Sequence, residues 1–421
     1  MLLDADKELH GLFVLGEKSY SGRIIFYPNT PVKVVITTTA NDHNLEINYK
    51  GKYIDQIFGV LKEEGDEITI IDGYIIDSFY STNGISEYTI LSNLVIFGEN
   101  INKTELKISN LHMMIPTLNK YIGNKLEKAT FYTNEKIVDF SIKYENISSE
   151  FDTPDSELKV AIKSFYNIDK YDLRHKFEVE QFHSIALEFK KNKELYESTK
   201  YVFTIEAFFS FVFQKECFVN EIVYFKEKIF KPFNHIYIKH DINNKNDKIN
   251  YNKVLFEIEY LINNLSKLIS NWIKITDEIK YLRYFMLNYF NNKYIDQKIV
   301  AQVNLIEALH LYYFGTKKDD NEIEIVINRI IPQICNEDDK DMVKKLINSK
   351  NSYGINRKID EISAKSNTIN LSKKEIKNIV KIRSILSHGG VDENFDFEKY
   401  CELSRKLNEI IVNIVKEEID K

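Results

Sequence analysis

Near the end of this 421-residue chain an arginine and a histidine stand five positions apart, Arg383 and His388, in the run R-S-I-L-S-H. Histidine changes charge near neutral pH, so it can take up and return a proton there. The guanidinium is always charged, and its donor fork matches a phosphate or a carboxylate. Three lysines precede the pair, Lys374, Lys377 and Lys381. Lysines placed so hold phosphates and add salt-dependent affinity. Together these residue types suit proton transfer beside a bound phosphate.

The element that must position them is a helix from about Lys373 to His388. Ser372 is followed three residues later by Glu375, the pattern of a capping box. Gly389 and Gly390 supply a stop, because glycine takes the left-handed cap conformation cheaply. At about 100° per residue, Ile376, Ile379, Val380 and Leu386 share one apolar face. Arg383 falls inside that face, while Lys374, Lys377, Lys381 and His388 cluster on another side. An inward arginine needs an acidic partner or a wet interface, since an unpaired buried charge is costly. A plainer reading also stands: a solvated lysine face, ended by a histidine that the helix dipole stabilises.

A second helix, Ile299–Phe314, is apolar apart from a few residues that include Glu307 and His310. Glu307 either orients Arg383 or pairs with a nearby Lys, Tyr or His310; both readings stay open. His310 reads as a satisfied core histidine. The other histidines, and Cys217, Cys335 and Cys401, show no metal-ligand spacing. No metal or other cofactor is expected, and the cysteines read as buried free thiols of a reducing cytosol. The high Tyr and Phe content falls at core periods and is assigned to packing. No Walker loop and no G-x-G-x-x-G run occurs, which argues against nucleotide-hydrolysing and dinucleotide classes.

Glycine divides the chain. Ten of the 14 lie between Gly11 and Gly123, and five of the six prolines precede Phe233. Such turn density between short apolar runs indicates β-structure, a sandwich or a barrel. Candidate strands include Leu12–Leu15, Arg23–Tyr27, Val32–Thr37, Glu67–Ile71, Tyr88–Ile96 and Lys128–Thr133. Thr204–Phe213 reads as helix or strand, and the polar, Asn-rich Asp241–Asn252 as a linker. From Lys253 the apolar period is helical, through Ile279–Tyr289, Val300–Tyr313, Ile323–Ile331 and Phe397–Val415. The fold class expected is α+β: a β-rich, sandwich-like N-terminal domain over 1–155, a mixed continuation over 156–245, and an all-helical domain over 253–421. Formal net charge is −6, but the 27 basic and 26 acidic side chains from Tyr251 onward leave that part at +1. Any nucleic-acid contact must then come from a local basic stripe. The first residues carry no basic and apolar leader, and no apolar run reaches the roughly 18 residues of a membrane span. A cytoplasmic protein with no membrane contact is expected.

The run R-S-I-L-S-H-G-G resembles the R-x-x-x-x-H signature of HEPN domains, a helical family rich in metal-independent ribonucleases. The helix around Leu305-Ile-Glu-Ala-Leu-His310 resembles that of the Apea-like branch. So do Leu9-His-Gly-Leu-Phe-Val14, Gly22-Arg-Ile-Ile-Phe-Tyr27 and Ile57-Phe-Gly59 in the β-rich part. The first variable position, commonly Asn, Asp or His in that family, is Ser384 here, a candidate for a supporting role beside Glu307.

The resemblance implies RNA cleavage by attack of the ribose 2′-OH, leaving a 2′,3′-cyclic phosphate. His388 would do acid/base work and Arg383 would hold the phosphate and its developing charge. Five residues turn about 140° on an ideal helix, so one stripe cannot carry both side chains. The resemblance implies a homodimer that joins two such pairs. It also implies anti-phage defence by abortive infection, with the N-terminal part sensing a phage-derived trigger or restraining activity. Two other readings compete: a non-catalytic module that binds RNA or a nucleotide, and a dimeric interaction protein.

Overall fold

A computed structural model describes residues 7–27, 30–39, 51–62, 65–80, 84–123, 126–134, 137–144, 149–152, 158–169, 178–219, 221–225, 235–238, 249–290, 292–315, 329, 331–334, 336, 339–340, 342–343, 354–387, 390 and 395–421. The chain divides into two compact units, 1–267 and 268–421.

The first unit is built on antiparallel strands. Those of the barrel are β1 (Lys7–Leu15), β2 (Lys18–Phe26), β3 (Val32–Thr39), β4 (Tyr53–Leu61), β5 (Glu67–Tyr80) and β6 (Ile85–Ser92). Their inward residues alternate, as one buried face demands: Leu9 and Phe13, then Val32, Val34 and Ile36, then Ile68 and Ile70. Strands β4, β1, β2, β3 and β6 pair in that order, and β5 pairs with both β4 and β6, closing a six-stranded barrel. The sequence left sandwich and barrel both open; ring closure makes this part a barrel.

Two glycines make room inside it. A Cβ at Gly22 would lie 2.9 Å from the Phe13 ring and 2.5 Å from the Val35 carbonyl oxygen, and one at Gly59 would lie 3.0 Å from the same ring. The fully buried Phe13 thus lies over two positions that have no side chain.

The sheet then continues from β5 through β7 (Leu94–Phe97), β15 (His235–Ile238), β14 (Glu221–Phe225), β8 (Lys107–Met114), β13 (Glu178–Glu194) and β12 (Leu158–Asp169) to β11 (Ser149–Asp152). Strand β5 serves both parts because it breaks at Asp72, which sits at φ 55°. Residues before the break pair with β7 and residues after it pair with β6. The Tyr53 and Tyr196 hydroxyls donate to the Asp72 carboxylate, and Lys103 Nζ lies 3.2 Å from it. The expected strand Tyr88–Ile96 is likewise two strands. The Ser92 hydroxyl donates to the Ile71 carbonyl at 2.6 Å where the chain passes from β6 to β7. Strands β9 (Leu126–Asn134) and β10 (Ile137–Tyr144) form a separate hairpin. Helix α1 spans Pro116–Ile122. The ambiguous Thr204–Phe213 lies in helix α2, Leu195–Phe213, which packs on β8 and β13. Most of the expected linker, and the expected helix Ile323–Ile331 up to its last residues, lie outside the described residues.

Helix α3 (Ile258–Glu278) contains the boundary between the units. The second unit is helical, with α4 (Lys280–Tyr289), α5 (Ile295–Phe314), α6 (Ile355–Lys365), α7 (Lys373–Ser387) and α8 (Phe397–Asp420). Helix α5 is its axis, contacting α4, α6, α7 and α8. Val303, Ile306 and Leu309 of α5 are fully buried, as are Leu407 and Ile410 of α8 and Ile379 of α7. Gln302, one of the polar residues buried in this core, is satisfied. Its amide donates to the Ser404 carbonyl at 2.8 Å and accepts the Ser404 hydroxyl at 3.0 Å. The β-rich region followed by a helical one is the α+β order expected. Cys217 is buried and Cys401 half-buried, both as free thiols; Cys335 lies outside the described residues.

Candidate functional site

Helix α7, which bears the candidate residues, begins on its cap. The Ser372 hydroxyl accepts the Glu375 backbone N–H at 3.3 Å, while the Glu375 carboxylate accepts the Ser372 backbone N–H at 2.8 Å. This reciprocal pair satisfies donors that a helix start leaves open. Glu375 also meets Lys406 of α8 at 2.5 Å. Hydrogen bonds from Lys406 and then Ser372 hold its carboxyl down at about 2. At the other end the Gly390 N–H reaches back to the Ile385 carbonyl at 2.9 Å, a bond that closes the last turn. A Cβ on Gly390 would sit 3.1 Å from the Ile385 side chain.

Between these ends, Ile376, Ile379 and Ile382 are buried, and Val380 and Leu386 are half-buried. Ile382 belongs to the inward face, although the angular reading did not place it there. Arg383 turns inward as expected. Its Nη2 donates to Glu307 Oε2 of α5 at 3.1 Å, while Lys358 Nζ of α6 meets Oε1 at 3.1 Å. One carboxylate thus gathers three helices. Arg383 Nε is buried and has no hydrogen-bond partner among the described residues.

One turn along α5 the pattern repeats. The buried His310 meets Glu361 of α6 at 2.8 Å, and Arg357 donates to the other Glu361 oxygen at 2.5 Å. Burial pushes the Glu361 carboxyl up, but the hydrogen bonds from Arg357 and His310 outweigh it and hold it below the usual range. His310 is a satisfied interior histidine, as the sequence suggested. Lys358 and Arg357 were not singled out from the sequence. Lys358 and Glu361 share the spacing of Glu307 and His310, yet nothing in the chain tells that α6 lies against α5 in that register.

Lys374, Lys377, Lys381 and Ser384 are exposed on the outer side of α7 at spacings of three, four and three. No carboxylate pairs with these lysines among the described residues. His388 and Gly389 lie outside the described residues.

Residues 8–272 match the family described as ApeA N-terminal domain 1, and residues 300–420 match Apea-like HEPN. The chain belongs to the Apea-like HEPN family. Glu307, Lys358 and Arg383 all fall inside the HEPN match, and the closed barrel falls inside the N-terminal one. No curated protein and no solved structure matched.

Beside α7 the HEPN unit has a cleft of about 420 Å³ between α4 and α5, with Leu386 of α7 in its wall. No described helix is long and apolar enough to cross a membrane. Among the described residues no group of three or more His, Cys, Asp or Glu is placed to hold a metal ion.

Proposed function

We propose that this chain is a HEPN endoribonuclease that cleaves RNA with Arg383 and His388 and needs no metal or other cofactor. The observation that carries the reading is the mounting of Arg383. A fixed guanidinium, anchored at one nitrogen by Glu307, sits on a capped helix whose outer face bears unneutralised lysines. Such a guanidinium can hold a phosphate without first reorganising. His388 takes the proton of the ribose 2′-OH as its oxygen attacks phosphorus, or gives a proton to the departing 5′-oxygen as the P–O5′ bond breaks. The product is a 2′,3′-cyclic phosphate. DNA is refused because it lacks the nucleophile. Lys374, Lys377 and Lys381 hold flanking phosphates, and Ser384 supports the site from the same face.

Five residues turn about 140° on an ideal helix, so one chain's pair is completed by a second copy in a homodimer. The inward angle of Arg383 no longer argues for that interface, since Glu307 of the same chain satisfies it. The dimer rests on kinship with HEPN domains. The family match to an ApeA N-terminal domain supports a role in anti-phage defence by abortive infection, in the cytoplasm, with the N-terminal unit sensing a phage-derived trigger or restraining the nuclease.

The test is RNA incubated in EDTA with wild type, Arg383→Ala and His388→Ala protein, with analysis of the new ends. Cleavage to cyclic phosphates by the wild type alone is expected. Equal cleavage by all three proteins overturns the site.

A further inference from the structure

The cleft beside α7 has a composition that packing alone does not call for. Tyr281, Tyr284, Phe285 and Tyr289 of α4 line it at positions i, i+3, i+4 and i+8, one continuous stripe. The stripe is graded from inside to outside. Phe285 is buried and stacks on Tyr289 with ring centroids 4.8 Å apart, whereas Tyr284 is 61% exposed. A residue period that suits a core thus ends in a ring presented to solvent. The wall also carries side-chain amides, among them Asn288 of α4 and Asn304 and Gln297 of α5. An amide offers both donors and acceptors. One carboxylate, Asp296, stands at the cleft, and its Oδ1 accepts the Gln297 N–H at 2.8 Å.

Flat aromatic faces, amide edges and about 420 Å³ of space describe a receptacle for a planar, hydrogen-bonding ring. Leu386 places that receptacle against the last turn of the helix that carries Arg383. Building on the ribonuclease reading, we propose that the α4–α5 cleft is a nucleobase subsite, which stacks an unpaired base of single-stranded RNA on Tyr284. Stacking tolerates any base, because every base has a π-face. The subsite therefore selects unpaired strands over duplex, and sequence only weakly.

The test uses the full chain carrying His388→Ala, so that RNA is not consumed. A short fluorescent oligouridylate is titrated at fixed salt, and the same oligomer with 4-thiouridine is photo-cross-linked and mapped by peptide mass. Tyr284→Ala is expected to weaken binding by about fivefold or more, and Tyr284→Phe to keep it. Because Tyr284 is largely exposed, an unchanged melting temperature should accompany the loss. Cross-links are expected within Tyr281–Tyr289. Equal affinity of Tyr284→Ala and its parent, cross-links confined to other segments, or no binding of the oligouridylate at all overturns the subsite. The two readings fail separately. Tyr284-dependent binding with no turnover by the wild type sinks the ribonuclease and leaves the subsite. Wild-type turnover with Tyr284-independent binding does the reverse.

Discussion

Replacing Glu307 by glutamine keeps the shape of the side chain and removes the charge that two cations share. The Glu307 oxygens stand 3.1 Å from Arg383 Nη2 and 3.1 Å from Lys358 Nζ, and the three side chains are 25%, 35% and 25% exposed. At about 3 Å, and an effective dielectric constant of about 20, each pair attracts by roughly 5 kcal/mol before desolvation is subtracted. Removing one partner of a fully buried pair costs about 3–5 kcal/mol, and exposed pairs contribute less than about 1 kcal/mol. These half-buried groups fall between, so a loss of about 2 kcal/mol is expected, seen as a fall of roughly 4–8 °C in the unfolding of the helical unit. Cleavage should suffer more than folding, because a guanidinium no longer fixed at one nitrogen must be aligned during the reaction. Misplacement on the scale of 1 Å costs about 100-fold, so a fall in kcat of roughly 10- to 100-fold is expected. Fluorescent RNA cleavage beside thermal unfolding separates the two effects. Residues acting as a unit are strongly non-additive, so Glu307→Gln should cost almost nothing further in an Arg383→Ala background. A Glu307→Gln enzyme as fast as wild type, or full additivity with Arg383→Ala, would refute the view that Glu307 positions Arg383.

Two further predictions concern the supports of the site. Ser372→Ala should lower stability by about 1 kcal/mol, the usual cost of losing a cap, measured by urea unfolding at neutral pH. The Glu375 part of that cap should respond to acid: its carboxyl is held at about 2 against an ordinary 4.5. A depressed carboxyl contributes stability that is complete above its unfolded value and is lost as pH falls through the folded one. The wild type should therefore lose more stability than Glu375→Gln between pH 4.5 and about 2, and parallel curves would count against the Lys406 contact. In the barrel, Gly22→Ala should cost about 1–3 kcal/mol, because the added methyl meets the Phe13 ring and the Val35 carbonyl. A Gly22→Ala protein with an unchanged denaturation midpoint would refute that packing.

What the sequence made legible was local. The cap and stop of α7 lie within a few residues of the helix they end, so Ser372, Glu375 and Gly390 could be read directly. The inward angle of Arg383 could also be read, because an angle on a helix is a local quantity. Pairing was harder. Arg383 was one of several partners open to Glu307, whose second cation, Lys358, depends on the register of α6 against α5, which no spacing encodes. The choice between barrel and sandwich stayed open for a similar reason. Closure depends on one strand, β5, changing partners at Asp72, a residue that reads as an ordinary polar position. The aromatic residues of α4 mark the limit of the period itself. It assigned the stripe to packing, which holds for Phe285, and could not tell where Tyr284 would emerge.

The sharing of β5 also bears on how the protein behaves at high concentration. A sheet edge presents unpaired backbone groups on which another chain can build, and long exposed edges seed aggregation. In the thirteen-stranded sheet, β6 would be one terminus, but its pairing with β5 folds that terminus into the ring. The other terminus is β11, a strand of four residues. In the described pairings the edge open to another chain is therefore the short β11 together with the part of β12 that runs past it as far as Asp169.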